Sequence, residues 1–130
     1  MRKRISVSVL TIVLLFSLGC QRSATAPVSV IDRIGHTINI ADALLNSATN
    51  FYSVQRQACS TAEATCRFST SGLESYRISL LRANTSFRQA TTIYELWRVG
   101  EATQSEVEAE LTTLNGSILI VRSSCGQECE

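Results

Sequence analysis

The chain is poor in the residues from which active sites are usually built: among 130 residues there is one lysine, one histidine, one tryptophan and one proline. With His36 as the only imidazole, a Ser-His-Asp mechanism would rest on that residue, and no serine stands in a nucleophile-elbow context. C-x-x-C, phosphate-loop and dinucleotide-binding patterns are missing too, which removes the common redox and nucleotide chemistries. A clustered basic excess is also lacking. Beyond residue 19 the chain carries nine arginines against eleven acids, a net of −2, so nucleic acid is not expected as a partner. The longest apolar run, Ile5 to Leu18, has fourteen residues, whereas a helix crossing a hydrocarbon core of about 30 Å needs about 20. These gaps point to a protein that acts without catalysis, metal or cofactor.

What is present begins at the N-terminus. Met1, Arg2, Lys3 and Arg4 give a positive start, and the apolar run after them is broken only by small hydroxyl residues, which is the pattern of a secretory signal. Ser17, Leu18, Gly19 and Cys20 then resemble the lipobox of bacterial lipoproteins, with Ser17 where leucine is commonest. The resemblance covers only the first 20 residues. It implies cleavage before Cys20 by signal peptidase II, acylation of Cys20 by palmitate-type chains, and attachment to a lipid bilayer in the cell envelope. Several acyl chains meet the two-signal requirement for stable anchoring. Gln21, rather than aspartate, after the cysteine implies sorting to the outer membrane in a Gram-negative cell. The expected organisation is a signal peptide over 1–19, a lipidated cysteine and linker over 20–28, and a folded domain over 29–130.

Five cysteines leave one unpaired. Assigning Cys20 to lipid leaves Cys59, Cys66, Cys125 and Cys129, an even set for two disulfides in an oxidising envelope. Their spacings miss those of the common zinc sites.

The folded part reads as all-α. Ile31, Ile34, Ile38, Ala41, Leu45, Ala48 and Tyr52 step by threes and fours toward Cys59, with Gln55 as the one polar interruption, and Leu44 and Phe51 widen the stripe. After a small, polar, cysteine-bearing loop over 59–72, the stepping resumes at Leu73, Tyr76, Leu80, Ala83, Phe87, Ala90, Tyr94 and Trp97. Val107, Leu111, Leu114, Ile118, Val121 and Cys125 repeat it. Capping boxes are expected at Ser29 with Asp32, Ser71 with Glu74, and Thr103 with Glu106, and a C-terminal cap at Gly100. Asn115-Gly116 resembles a hairpin turn, but the helical stepping runs through it. The expected fold is an up-down-up three-helix bundle with two disulfides at one end.

Such a bundle carries the ends of its first and third helices to the same tip, far from the lipid. Cys59 and Cys125 fall in phase with their stripes, which favours Cys59–Cys125 and Cys66–Cys129 bridges over the local pairs Cys59–Cys66 and Cys125–Cys129. A bridge from the first helix to the third closes a loop of about 65 residues and contributes about 4 kcal/mol in the chain-entropy model. His36, the Glu106, Glu108 and Glu110 run, and Arg77 with Arg88 and Arg98 read as solvated positions. The functional expectation is a lipid-anchored, non-enzymatic interaction module whose tip, residues 59–72 with 122–130, meets another envelope protein. The alternative is a carrier holding a small apolar ligand among Phe51, Phe87, Tyr94 and Trp97.

Overall fold

The structure is a computed structural model and describes residues 29–125. The expected signal peptide, Cys20 with its linker, and Cys129 lie outside the described residues. Three helices pack together: α1 (Val30–Ser60), α2 (Thr70–Arg98) and α3 (Gln104–Cys125), and no strand occurs among the described residues.

Each helix start is fixed by a short side chain that satisfies backbone donors with no partner in the first turn. At α1, Ser29 Oγ accepts the Asp32 N–H at 3.1 Å and donates to the Asp32 carboxylate. At α3 the capping box is reciprocal: the Thr103 N–H donates to Glu106 Oε2 at 2.7 Å, and the Glu106 N–H donates to Thr103 Oγ1 at 3.3 Å. The Thr103 backbone and hydroxyl donors hold the Glu106 carboxyl below the usual carboxylate range. The start of α2 departs from expectation. Its cap is Ser69, whose Oγ accepts the Gly72 N–H at 3.1 Å, so the helix begins before Ser71. Glu74 instead forms a two-armed ion pair with Arg77, and that guanidinium lowers its pKa. The end of α2 follows expectation. Gly100 takes φ +84°, its N–H donates to Trp97 O, and the Glu101 N–H donates to Leu96 O, which is a Schellman closure.

Two kinds of packing hold the bundle together. Between α2 and α3 the contact residues are small. Ser79, Ala83, Ser86 and Ala90 are all buried, and two hydroxyl pairs, Ser79 with Ser124 and Ser86 with Ser117, meet at 3.1 Å each. Small side chains let these two backbones approach closely. The backbone of α1 stays more than 8 Å, Cα to Cα, from both other helices. Rings fill that gap. Tyr76, only 1% exposed, reaches from α2 to α1 and donates its hydroxyl to Ala48 O at 3.3 Å, and burial pushes its phenol pKa up. Phe51, Tyr52 and Phe68 surround its ring, with centroids 5.5–6.3 Å away. Farther along, the Tyr94 ring stands over Gly35, close enough that a Cβ there would lie 2.7 Å from its hydroxyl oxygen.

The contact pairs 48 with 76 and 35 with 94, then 79 with 124 and 86 with 117, each rise on one helix as they fall on the next. Consecutive helices therefore run antiparallel. Asn115-Gly116 is helical throughout, because Ile118 and Val121 beyond it are buried in the shared core and a two-stranded turn would expose them.

Two of the helical glycines, Gly35 and Gly116, give opposite expectations. A Cβ on Gly116 meets nothing within 4 Å, so Gly116→Ala should raise unfolding free energy by about 0.5–1 kcal/mol through helix propensity alone. Gly35→Ala gains the same propensity but must push the Tyr94 ring aside, at a cost of about 1–3 kcal/mol, and should destabilise. Denaturant melts of the two variants, read by circular dichroism, check the pair.

Candidate functional site

The turn between α1 and α2 is built around Gln55. Its side chain is 5% exposed, and Gln55 Oε1 accepts the Arg67 N–H at 2.9 Å, fastening the returning chain to α1. The polar break in the first apolar stripe is thus a structural clasp. Beyond it Ala58 is buried, and Cys59 is half-buried beside the loop. Ala62, in the left-handed region at φ 54°, ends the helical path and folds the chain back, and the Glu63 N–H donates to Ala58 O.

This fold-back corrects the expected disulfide pairing. Cys59 bonds to Cys66, seven residues on, with Cα atoms 4.7 Å apart. The Cys59–Cys125 and Cys66–Cys129 pairs are therefore excluded. The loop this bridge closes is so short that its chain-entropy contribution is about 2.5 kcal/mol, below that of a link between α1 and α3. Cys125 is buried in the core cluster at the same end of the bundle and is itself disulfide-bonded. Within the bridged turn, Phe68 packs on Phe51 and Tyr76, with ring centroids 6.0 and 5.5 Å away.

Next to this turn, a groove of about 690 Å³ runs between α1 and α3 and is open along one side. Leu44 and Phe51 form one wall, Leu119 and Arg122 the other, and Tyr76 with Val121 lies among the lining residues. It follows from the asymmetric packing described above: rings hold α1 away from α3, and the side chains left between them do not fill the space. Leu44 is 47% exposed and Leu119 57%. Leu44 is thus a groove wall and not the core residue its spacing suggested. A second hollow of about 420 Å³ lies between α1 and α2, lined by Gly35, Ile38, Phe87 and Tyr94 among others. Trp97 packs beside Tyr94 at 6.3 Å, and Arg98 lies 5.9 Å from the centre of the Tyr94 ring.

The remaining polar candidates do not converge. His36 is exposed on α1, Glu106 caps α3, Glu108 accepts from Gln104, and Arg77 is paired to Glu74. Among the described residues no group of histidines, cysteines or acids could hold a metal ion, and no helix is long and apolar enough to cross a membrane. The chain matches no protein family, no curated protein and no solved structure.

Because the Gln55 carboxamide is the acceptor for a backbone donor in the turn, Gln55→Ala should cost about 1–3 kcal/mol. The Arg67 amide should exchange with solvent faster relative to amides in α3. Hydrogen exchange read residue by residue checks this; unchanged protection at Arg67 would remove the clasp.

Proposed function

We propose that the protein is a lipid-anchored envelope lipoprotein that acts without catalysis, as a module that binds another envelope protein. The tether is the acylated Cys20, and the bilayer holding it is the outer membrane where the cell has one. The domain beyond the linker is an up-down-up bundle, and a second bridge, Cys125–Cys129, completes the pairing of its four cysteines. In this geometry α1 leads away from the membrane and the Cys59–Cys66 turn stands at the far end.

The observation that carries the binding reading is the distribution of exposed apolar side chains. Ile40, Leu44, Val54, Leu119 and Ile120 are each between 47% and 62% exposed. On α1 they continue the groove wall in both directions, past the stretch that lines the groove itself. A surface of this kind favours an interaction site over a solvated face. The flank of α1 and α3, closed at one end by the disulfide turn, is therefore the binding surface in this reading, and the turn contributes its edge.

A second reading is favoured by one observation. The groove volume falls within the roughly 300–1,000 Å³ of small-ligand sites, and its lining is mainly apolar. That fits a carrier for a small apolar ligand. It accounts less well for Ile40 and Val54, which lie on the exposed flank beyond the groove lining.

Two experiments test the proposal. Cys20→Ser should abolish metabolic labelling with a palmitate analogue and release the protein from the membrane fraction; labelling that persists would refute the anchor. Affinity capture from solubilised membranes should recover a protein with the wild type and lose it with Leu44→Asp, an exposed change that leaves the core intact. Recovery of a lipid or other small molecule in place of a protein would support the carrier.

A further inference from the structure

The exposed stripe on α1 has a spacing of its own. Ile40, Leu44, Ser47, Phe51 and Val54 follow one another by four, three, four and three, the seven-residue stepping that a second helix reads as a seam, with Ser47 as its polar position and Phe51 half-buried against the Tyr76 ring. It lies to one side of the core stripe of Ile34, Ile38, Ala41 and Leu45, which is already buried within the bundle. From Ile40 to Val54 the line covers fourteen helical steps, about 21 Å. No residue from 43 to 55 carries a charge. Leu119 and Arg122 border the groove on the α3 side, and Arg122 is the one charged side chain among its lining residues. Among the described residues Arg122 enters no salt bridge, the two ion pairs present being Arg77 with Glu74 and Arg98 with Glu95.

We propose that the α1–α3 groove is the seat for one amphipathic helix of the partner protein, about four turns long, with an apolar face toward Leu44, Phe51 and Leu119 and a carboxylate at mid-length opposite Arg122. This deepens the interaction reading given above and rests on it. The occupant is helical because the exposed stripe keeps a coiled-coil period over its full length, and anchors at i, i+3 or i+4, and i+7 match side chains spaced along α1. Its flank is acidic because the cation at the groove edge has no ion-pair partner among the described residues, so a carboxylate there gains an ion pair without displacing either of those present. A lysine at the same place would meet a like charge beside a partly desolvated apolar surface.

The test uses the wild-type protein and two synthetic peptides about 14 residues long. Both carry leucines at three- and four-residue spacing, and they differ only in a central glutamate or a central lysine. The glutamate peptide should bind the wild type about tenfold more tightly, a difference of about 1.4 kcal/mol. It should shift the amide resonances of Leu44, Phe51 and Leu119. Arg122→Glu should reverse the order of the two peptides, and Leu119→Asp should bind neither; both changes are at exposed positions, and circular dichroism verifies that the helices persist. Reversal by Arg122→Glu is the decisive sign, because a merely structural role for Arg122 would not exchange the preferences. Equal affinities in the wild type and in Arg122→Glu overturn the proposal, as does the absence of saturable binding by either peptide. Saturable binding of decanoate at the groove resonances with no peptide bound overturns it in favour of the carrier. Capture of a membrane partner that survives Leu44→Asp would leave the interaction reading standing while removing the groove as its seat.

Discussion

The close approach of α2 and α3 is the constraint on which the rest of the bundle depends. Two helices can come this near only where their facing side chains are small, and hydroxyls in such a contact must find partners once water is excluded. Ser86 and Ser117, and Ser79 with Ser124, meet both conditions by bonding to each other across the seam. Ser117 also donates to the carbonyl of Thr113 on its own helix, so Ser86 supplies the proton for their mutual bond. With α2 and α3 joined in this way, the larger side chains of α2 are directed toward α1. The rings of Tyr76 and Tyr94 set how far away that helix sits, and the groove is the space their size leaves on the α3 side.

The disulfide turn belongs to the same logic. The bridge from Cys59 to Cys66 is local and binds the chain's return to the end of α1, leaving α1 and α3 without a mutual cross-link through either residue. What keeps α1 in place is burial of Ile38, Ala41 and Leu45, the ring cluster around Tyr76, and the Gln55 clasp. Phe68 connects the two features: it sits within the bridged turn and packs on Phe51 and Tyr76, both of which line the groove. The order of the turn and the shape of the groove end are therefore coupled through three rings.

Much of this was legible in the sequence, and the exceptions have physical reasons. Three helices, their approximate limits, the boxes at Ser29 and Thr103 and the stop at Gly100 follow from periodicity and cap chemistry, because those signals are local. The α2–α3 seam was not legible, since hydropathy treats Ser79, Ser86, Ser117 and Ser124 as solvent positions; the available hint was that residues 79, 83, 86 and 90 are all small and keep heptad spacing. Leu44 and Phe51 read as a widened core face; Phe51 does pack on the core through the Tyr76 ring, whereas Leu44 stays exposed on the groove wall. The disulfide pairing turned on the loop: Ala62 in the left-handed region and the Arg67 N–H donated to Gln55 Oε1 fold the chain back so that Cys66 meets Cys59, and neither feature is visible in a hydropathy pattern.

The unequal joints between the helices have a consequence for how the chain reaches its native state. The segment joining α2 to α3, residues 99–103, is short and held by a Schellman closure at one end and a reciprocal cap at the other, so the entropic cost of bringing these two helices together is small. The pair should assemble first as a hairpin that buries little apolar surface by itself, and α1 should dock afterwards onto the rings that hairpin displays. An intermediate lacking α1 would then expose Tyr76, Leu80 and Leu114 together, which makes the docking of the first-synthesised helix the step most sensitive to aggregation.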